Sequence, residues 1–291
     1  MKPSEQMATA QTVVREIEVP SWDAMVLRGR WWRRPAPRGA IIVSHGFAEH
    51  GGCYRRVAEA LGAMLEVDII AVDYRGHGRS PGRRGVVKRY DDLVGDLASV
   101  VKWVERQLPD VPRFLLAHSN GGQVGLRLVL EVNAAIDGMV VSNPALRVSV
   151  PISAGKLRLG RILGKVAPWI TLAGDSRVGV LTRDPMIQEE HRTDPLRHNR
   201  MSPPLFFGMV AGGELLVARA AEIRIPLLMV LGGQDTLIDP AISREFFERL
   251  GSDDKTLLFY PKMLHEPLND LGREQVIEDM ARWFELHLPS R

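Results

Sequence analysis

Three side chains of the types that together cleave acyl bonds occur in one order along the chain: Ser119, Asp235 and His265. A serine hydroxyl is a poor nucleophile until a base takes its proton, and the base needs a third group to hold its tautomer. Ser119 follows the apolar run Phe114 to Ala117 and precedes Gln123-Val-Gly-Leu-Arg-Leu-Val-Leu130, which reads as a helix. It therefore stands on a strand-to-helix turn, where a strained backbone lifts the hydroxyl clear and the flanking residues must be small. Gly121 meets that demand, while Ala117 carries one methyl more than the glycine of Gly-x-Ser-x-Gly. Asp235 ends the loop Gly232-Gly-Gln-Asp235 after an apolar strand, and His265 ends Pro261-Lys-Met-Leu-His265 after the next one. Asp239 competes for the acid role, but it directly precedes Pro240 and suits a helix N-cap. A tetrahedral oxyanion also needs two aimed N–H donors. Asn120, at the start of the helix, supplies one, and Phe47, just past His45-Gly46, is the candidate for the other.

These residues need a scaffold that brings distant strand ends together. Residues 12–19 and 24–33 read as an antiparallel entry pair, 40–44 as a buried strand, and 54–64 as a helix. A strand at 68–73 is followed by a long amphipathic helix with Leu93, Leu97, Val100, Val101, Val104 and Leu108 at helical spacing. After a strand at 139–142 the alternation breaks until about residue 210, then resumes with strands at 226–231 and 256–260 and helices from 241 and around 276–288. Strands alternating with helices predict an α/β fold whose mostly parallel sheet is covered on both faces. The expected division is a core of residues 1–145 and 211–291 with a cap, or lid, inserted at 146–210.

Composition narrows the function classes. The 291 residues are 45% hydrophobic, ample for a large core, and 38 basic side chains against 35 acidic ones argue against nucleic acid as a partner. Cys53 is the single cysteine, so no intramolecular disulfide can form. Residues 1–7 hold no apolar signal region, and no apolar run is long enough to span a bilayer. The expectation is a cytoplasmic protein.

Several short patterns resemble sites but fail on detail. The loop Gly76-His-Gly-Arg-Ser-Pro-Gly82 displaces the third glycine of a dinucleotide loop, and His265-Glu266 begins a zinc helix whose second ligand position holds Asn269. No metal or other cofactor is expected. Trp31 and Trp32 must face opposite sides of a strand, one in the core and the other covered or facing lipid.

The chain resembles the monoacylglycerol lipase/lysophospholipase branch of the α/β-hydrolases. The likeness rests on His45-Gly-Phe-Ala-Glu-His50, Asp73-Tyr-Arg-Gly-His-Gly-Arg-Ser80, His118-Ser-Asn-Gly-Gly122, Arg183-Asp-Pro185, Thr193-Asp-Pro-Leu196, Gly233-Gln-Asp235 and His265-Glu266. It implies an α/β-hydrolase fold, Ser119, Asp235 and His265 as the triad, and Phe47 and Asn120 as oxyanion donors. It also implies a lipid ester as substrate, with Glu49 among its contacts and the positions of Cys53 and His191 at its head group. The family commonly has Arg where Cys53 stands, Tyr where His191 stands and an aromatic residue at Leu264. Those departures leave the hydrolase reading intact and weaken the monoglyceride one.

Residues 154–166 of the cap segment form one more pattern. Leu159, Ile162, Leu163 and Val166 share a helical face opposite Arg158, Arg161 and Lys165. Either that face lines the substrate pocket, making Leu159, Ile162 and Leu163 acyl-chain contacts, or the basic helix lies on an anionic membrane. The expected activity is hydrolysis of an ester with an apolar acyl chain through an acyl-enzyme. An acyltransferase, an amide or peptide hydrolase, and a ligand receptor that keeps the triad without turnover are the alternatives.

Overall fold

The computed structural model describes residues 12–132, 134–173 and 178–290 of the chain; residues 1–7, read above for a signal region, lie outside them. Strands β1 (Val13–Pro20) and β2 (Val26–Arg33) open the fold as an antiparallel pair. Then follow β3 (Ala40–Ser44), α1 (Arg55–Leu65), β4 (Asp68–Val72), α2 (Asp91–Gln107), β5 (Arg113–His118), α3 (Ser119–Val132) and β6 (Gly138–Ser142). Between β6 and the next sheet strand run α4 (Ala154–Val166), a short hairpin of β7 (Leu172–Ala173) with β8 (Arg200–Met201), α5 (Pro185–Thr193) and α6 (Pro203–Ala218). The chain then forms β9 (Leu227–Gly232), α7 (Pro240–Arg249), β10 (Lys255–Tyr260) and α8 (Arg273–His287).

Eight strands make one sheet in the order β1-β2-β4-β3-β5-β6-β9-β10. The six from β4 to β10 pair in parallel, and β2 runs against both its neighbours. Every residue of β3, β4, β6 and β9 is buried, as expected of strands covered by helices on both faces. On one face α1 and α8 pack Val57, Leu61, Met280 and Phe284 against Ile41, Ile69 and Leu116. On the other, α2, α3, α6 and α7 bring Leu93, Val124, Leu205 and Phe246 onto Ile42, Leu115 and Met229.

Trp31 and Trp32 face opposite sides, as expected, and the second is covered rather than facing lipid: Trp31 joins one buried cluster and Trp32 the other. The helical layers cover both faces at β2, and the Trp31 indole donates to the buried Asp68 carboxylate at 2.7 Å. The end of the insertion expected at residue 210 falls inside α6, which packs against α3 of the core as well as α4.

Candidate active site

Ser119 is the hinge of the β5–α3 turn, with φ at +52°, the left-handed region that β5's extended backbone must pass through to start a helix within one residue. Gly121 is required next to it, because a Cβ there would run into the carbonyl oxygens of Ser44 and His45. The methyl of Ala117 lies fully buried in the packing beneath the turn. The sheet register puts the ends of β3, β5 and β6 side by side, with Ser44 opposite Ala117 and His118 opposite Ser142.

Asp235 leaves the end of β9, and His265 follows β10. The Ser119 hydroxyl lies 2.9 Å from His265 Nε2, and His265 Nδ1 lies 2.7 Å from Asp235 Oδ2. The other Asp235 oxygen accepts from the backbone N–H groups of Leu237 at 2.8 Å and Ile238 at 3.1 Å, which aims the carboxylate at the imidazole. Burial opposes the charge on Asp235, but the His265 pairing and these N–H groups hold it below the usual carboxylate range. Burial likewise opposes the imidazolium of His265; Asp235 outweighs it, with Glu266 and Glu49 adding to the pull, so the group rises above its ordinary 6.5. Asp239 is elsewhere: it caps α7 and accepts from the Ala241 N–H at 3.0 Å.

Asn120 opens α3, where first-turn amides have no partner within the helix, and its side chain accepts from the Tyr90 hydroxyl at 2.8 Å. Phe47 lies on the facing loop. His45 holds that loop: its Nε2 accepts from the Tyr74 N–H at 3.0 Å, so Nδ1 carries the proton donated to the Gly46 carbonyl at 2.8 Å. Burial drives His45 down to about 3, which keeps it neutral. Glu49 braces the same loop, accepting from the Gly46 N–H and, at 2.8 Å, from the Tyr54 hydroxyl.

Above Ser119 lies a cavity of about 440 Å³. Val178, Val180, Leu181 and Leu237 contribute an apolar part of its wall, and Glu49, His191, Arg197 and Glu266 a polar part.

Residues 35–272 match the family model described as serine aminopeptidase, S33. The monoacylglycerol lipase of Mycolicibacterium smegmatis is 32% identical over 259 residues, which cover 89% of this chain and 92% of that one. The chain belongs to the monoacylglycerol lipase-like α/β-hydrolases. The monoglyceride lipase of Rattus norvegicus is 31% identical over 268 residues, 90% of this chain and 87% of that one. The crystal structure of the Paleococcus ferrophilus monoacylglycerol lipase has a TM-score of 0.78 at 27% identity and covers 95% of this chain and 99% of that one. This α/β-hydrolase is thus a carboxylic ester hydrolase.

The hydrolase departs from the expected substrate contacts in two places. Leu159, Ile162 and Leu163 are not among the residues lining the cavity. Helix α4 instead turns its glycines inward, Gly160 against Phe207 and Gly164 against Pro203 of α6, and leaves Leu159 47%, Ile162 50% and Val166 66% exposed. Cys53 also lies behind the cavity wall, its thiol pushed up to about 12 by burial. Arg197, on the segment between α5 and β8, puts its guanidinium 3.5 Å from that sulfur, so a cation does stand beside position 53, carried by a different element. His191 lines the cavity; burial lowers it below 6.5, and its Nε2 lies 3.5 Å from Glu266.

Ligating atoms of His50, Cys53 and Asp194 also gather within 4.8 Å of one another. That set does not suit a metal: His50 Nδ1 accepts from the Gly52 N–H, His50 Nε2 is paired with Asp194 at 2.8 Å, and Arg197 places a cation on the sulfur.

Asn143 escaped the sequence reading. At the end of β6, with φ at +39°, its amide accepts from the Gly232 N–H at 3.0 Å and donates to the carbonyls of His265 at 2.8 Å and Leu264 at 3.3 Å. One side chain thereby ties the ends of β6 and β9 to the loop that carries the histidine. An Asn before Pro144 at a strand end was the available signal, since Asn tolerates left-handed backbone.

Proposed function

We propose that Ser119, His265 and Asp235 form the catalytic triad of this hydrolase and that it cleaves esters joining an apolar acyl chain to an uncharged, hydroxylated alcohol. The observation that carries the reading is the chain of two hydrogen bonds, 2.9 and 2.7 Å, opening onto a cavity with both apolar and polar walls. Ser119 Oγ attacks the ester carbonyl as its proton passes to His265 Nε2, and Asp235 holds the Nδ1–H tautomer and stabilises the imidazolium. The N–H groups of Phe47 and Asn120 donate to the developing oxyanion and stabilise its charge. The imidazolium returns its proton to the leaving alcohol, and water, deprotonated by the same nitrogen, releases the acyl group.

The acyl chain fits the wall of Val178, Val180, Leu181 and Leu237, and the alcohol the wall of Glu49, His191, Arg197 and Glu266. The carboxylates of Glu49, Asp194 and Glu266 outnumber the guanidiniums of Arg192 and Arg197 around the cavity, and lowering of the His191 pKa leaves that imidazole neutral near pH 7. Such a wall repels a phosphate and suits hydroxyls. A peptide N-terminus would need a free carboxylate, but Glu49 is held by Gly46 and Tyr54, and Glu266 by Arg197 and Asn269. This favours esters over peptides.

The segment of residues 146–210 acts in this reading as a cap, and the exposed Leu159, Ile162 and Val166 of α4 are its contact with lipid. No described helix is long and apolar enough to cross a membrane. The test is a comparison of kcat/KM for a glycerol monoester and a lysophospholipid of the same chain length. The glycerol ester should be preferred at least tenfold, since like-charge juxtaposition costs several kcal/mol. Equal rates, or preference for the lysophospholipid, would remove the uncharged-alcohol assignment.

A further inference from the structure

The segment from Asp194 to Asn199 joins α5 to β8 and is fastened to the loop after β3. His198 N–H donates to the Ala48 carbonyl at 3.2 Å, and His50 Nε2 pairs with Asp194 Oδ2 at 2.8 Å. Between these two ties lies Arg197, almost wholly buried, with Nη2 at 3.3 Å from Glu266 Oε1 and Nη1 at 3.9 Å from Glu49 Oε2. The two carboxylates serve different halves of the site. Glu49 holds the Gly46 N–H, one residue before the Phe47 oxyanion donor, and Glu266 follows His265 directly.

We propose that Arg197 is a positioning residue of this hydrolase: one guanidinium, delivered by the segment between α5 and β8, bridges the brace of the oxyanion loop to the neighbour of the base. The bridge sets two things together. It holds Glu49 and Glu266 at a fixed separation, which keeps the Phe47 donor and the His265 ring in register. It also offsets the charge that those carboxylates place on His265.

The groups facing His265 are Asp235 from the β9 loop, Glu266 from its own loop, Glu49 from the β3 loop and His118 from the end of β5, whose ring centroid is 4.9 Å away. Arg197 in turn faces Glu49, Glu266, the Cys53 thiol, His191, Asp194 and His198. His118, His191 and His198 are each lowered below 6.5, so near neutral pH the charges that act are the carboxylates and the one guanidinium. Glu266 lies well below the usual carboxylate range: burial opposes its ionisation, but Arg197 above all, then His191 and the Asn269 amide, outweigh it. It therefore stays charged throughout the range in which His265 titrates. Removing the guanidinium leaves both carboxylates unopposed, and the imidazolium then becomes harder to deprotonate.

The proposal rests on His265 being the base, and the experiment separates the two. The acid limb of kcat/KM against pH is measured for wild type, Arg197→Gln, Arg197→Lys and Glu266→Gln, with His265→Ala alongside. The bridge requires the midpoint to rise by about one pH unit in Arg197→Gln, to fall in Glu266→Gln, and to stay near wild type in Arg197→Lys. A purely structural arginine predicts instead a loss that is uniform across pH with an unmoved midpoint, and that result overturns the bridge. If Arg197→Gln does not fold, Glu266→Gln decides alone, and an unmoved midpoint there is equally contrary. An active His265→Ala would reject the base assignment itself, whereas an inactive one with unmoved midpoints rejects only the role of Arg197.

Discussion

The Asn143 amide donates to the backbone carbonyl of His265 at 2.8 Å, so the loop that carries the histidine is held from the end of β6, two sheet positions from the strand that precedes it. The same side chain accepts from Gly232 at the end of β9, three residues before Asp235. Replacing it with Ala removes three hydrogen bonds and leaves a β-carbon residue without local polar contacts at φ +39°. Asn143→Ala is expected to lose about 1–3 kcal/mol of stability. Its kcat should fall about a hundredfold, because an ångström of misplacement costs that much. Unchanged kcat and Tm in the purified variant would show that the His265 loop holds its place without this tie.

Asp235→Asn should be far more damaging than Asp239→Asn. The Asp235 carboxylate fixes the His265 tautomer, and an amide in such a position typically costs on the order of 10⁴ in kcat. Asp239 caps α7, and Asn caps a helix about as well as Asp. Its substitution should leave kcat/KM within about threefold. A larger loss at residue 239 than at 235 would transfer the acid role to Asp239.

The succession of strands along the chain and the loops bearing Ser119, Asp235 and His265 could be read in the sequence, because each of these loops follows an apolar run of strand length and begins with small or turn-forming residues. Those are local signals. The location of α4 could not be read in the same way. The helical spacing of Leu159, Ile162, Leu163 and Val166 shows that one face is apolar but not what covers it, and the structure packs Gly160 and Gly164 against α6 while leaving Leu159, Ile162 and Val166 exposed. For Trp31 and Trp32, alternation along β2 gives the direction of each side chain, while what covers the Trp32 face, α1 and α8, is set by the fold and not by the strand. Arg197 had no sequence signal at all. Nothing within Thr193-Asp-Pro-Leu-Arg197 distinguishes it from the other arginines, because its partners, Glu49 and Glu266, are brought by two other loops.

Activity should rise with pH through the titration of His265, since only the neutral imidazole accepts the serine proton. Its pKa is raised above the ordinary 6.5, chiefly by Asp235 against the opposing effect of burial, so half-maximal kcat/KM is expected above pH 6.5. The sign of the linked stability is opposite. Because the folded state holds this proton more tightly than the unfolded one, the contribution of the His265–Asp235 pair is full below pH 6.5 and is lost as pH rises through the folded value. A midpoint below pH 6, with the chemical step shown to limit the rate, would contradict the raised value.

The α4 face should matter only where the substrate sits in a bilayer. Leu159→Ser, Ile162→Ser and Val166→Ser combined remove apolar area that is already exposed, so folding should be little affected. Hydrolysis of a monoester presented in anionic vesicles should fall about tenfold, while a soluble butyrate ester is spared. Equal losses on both substrates would mean that the face packs within the cap, and no loss on either would leave it as a solvated surface.

The most direct test of Ser119 as the nucleophile is covalent trapping. The purified hydrolase is treated with a fluorophosphonate until ester hydrolysis stops, and its peptides are then mapped by mass spectrometry. The triad predicts a single adduct on the Ser119 peptide, formed in proportion to the activity lost and absent from both Ser119→Ala and His265→Ala. Full inactivation with Ser119 unmodified, or undiminished ester turnover in Ser119→Ala, would contradict it.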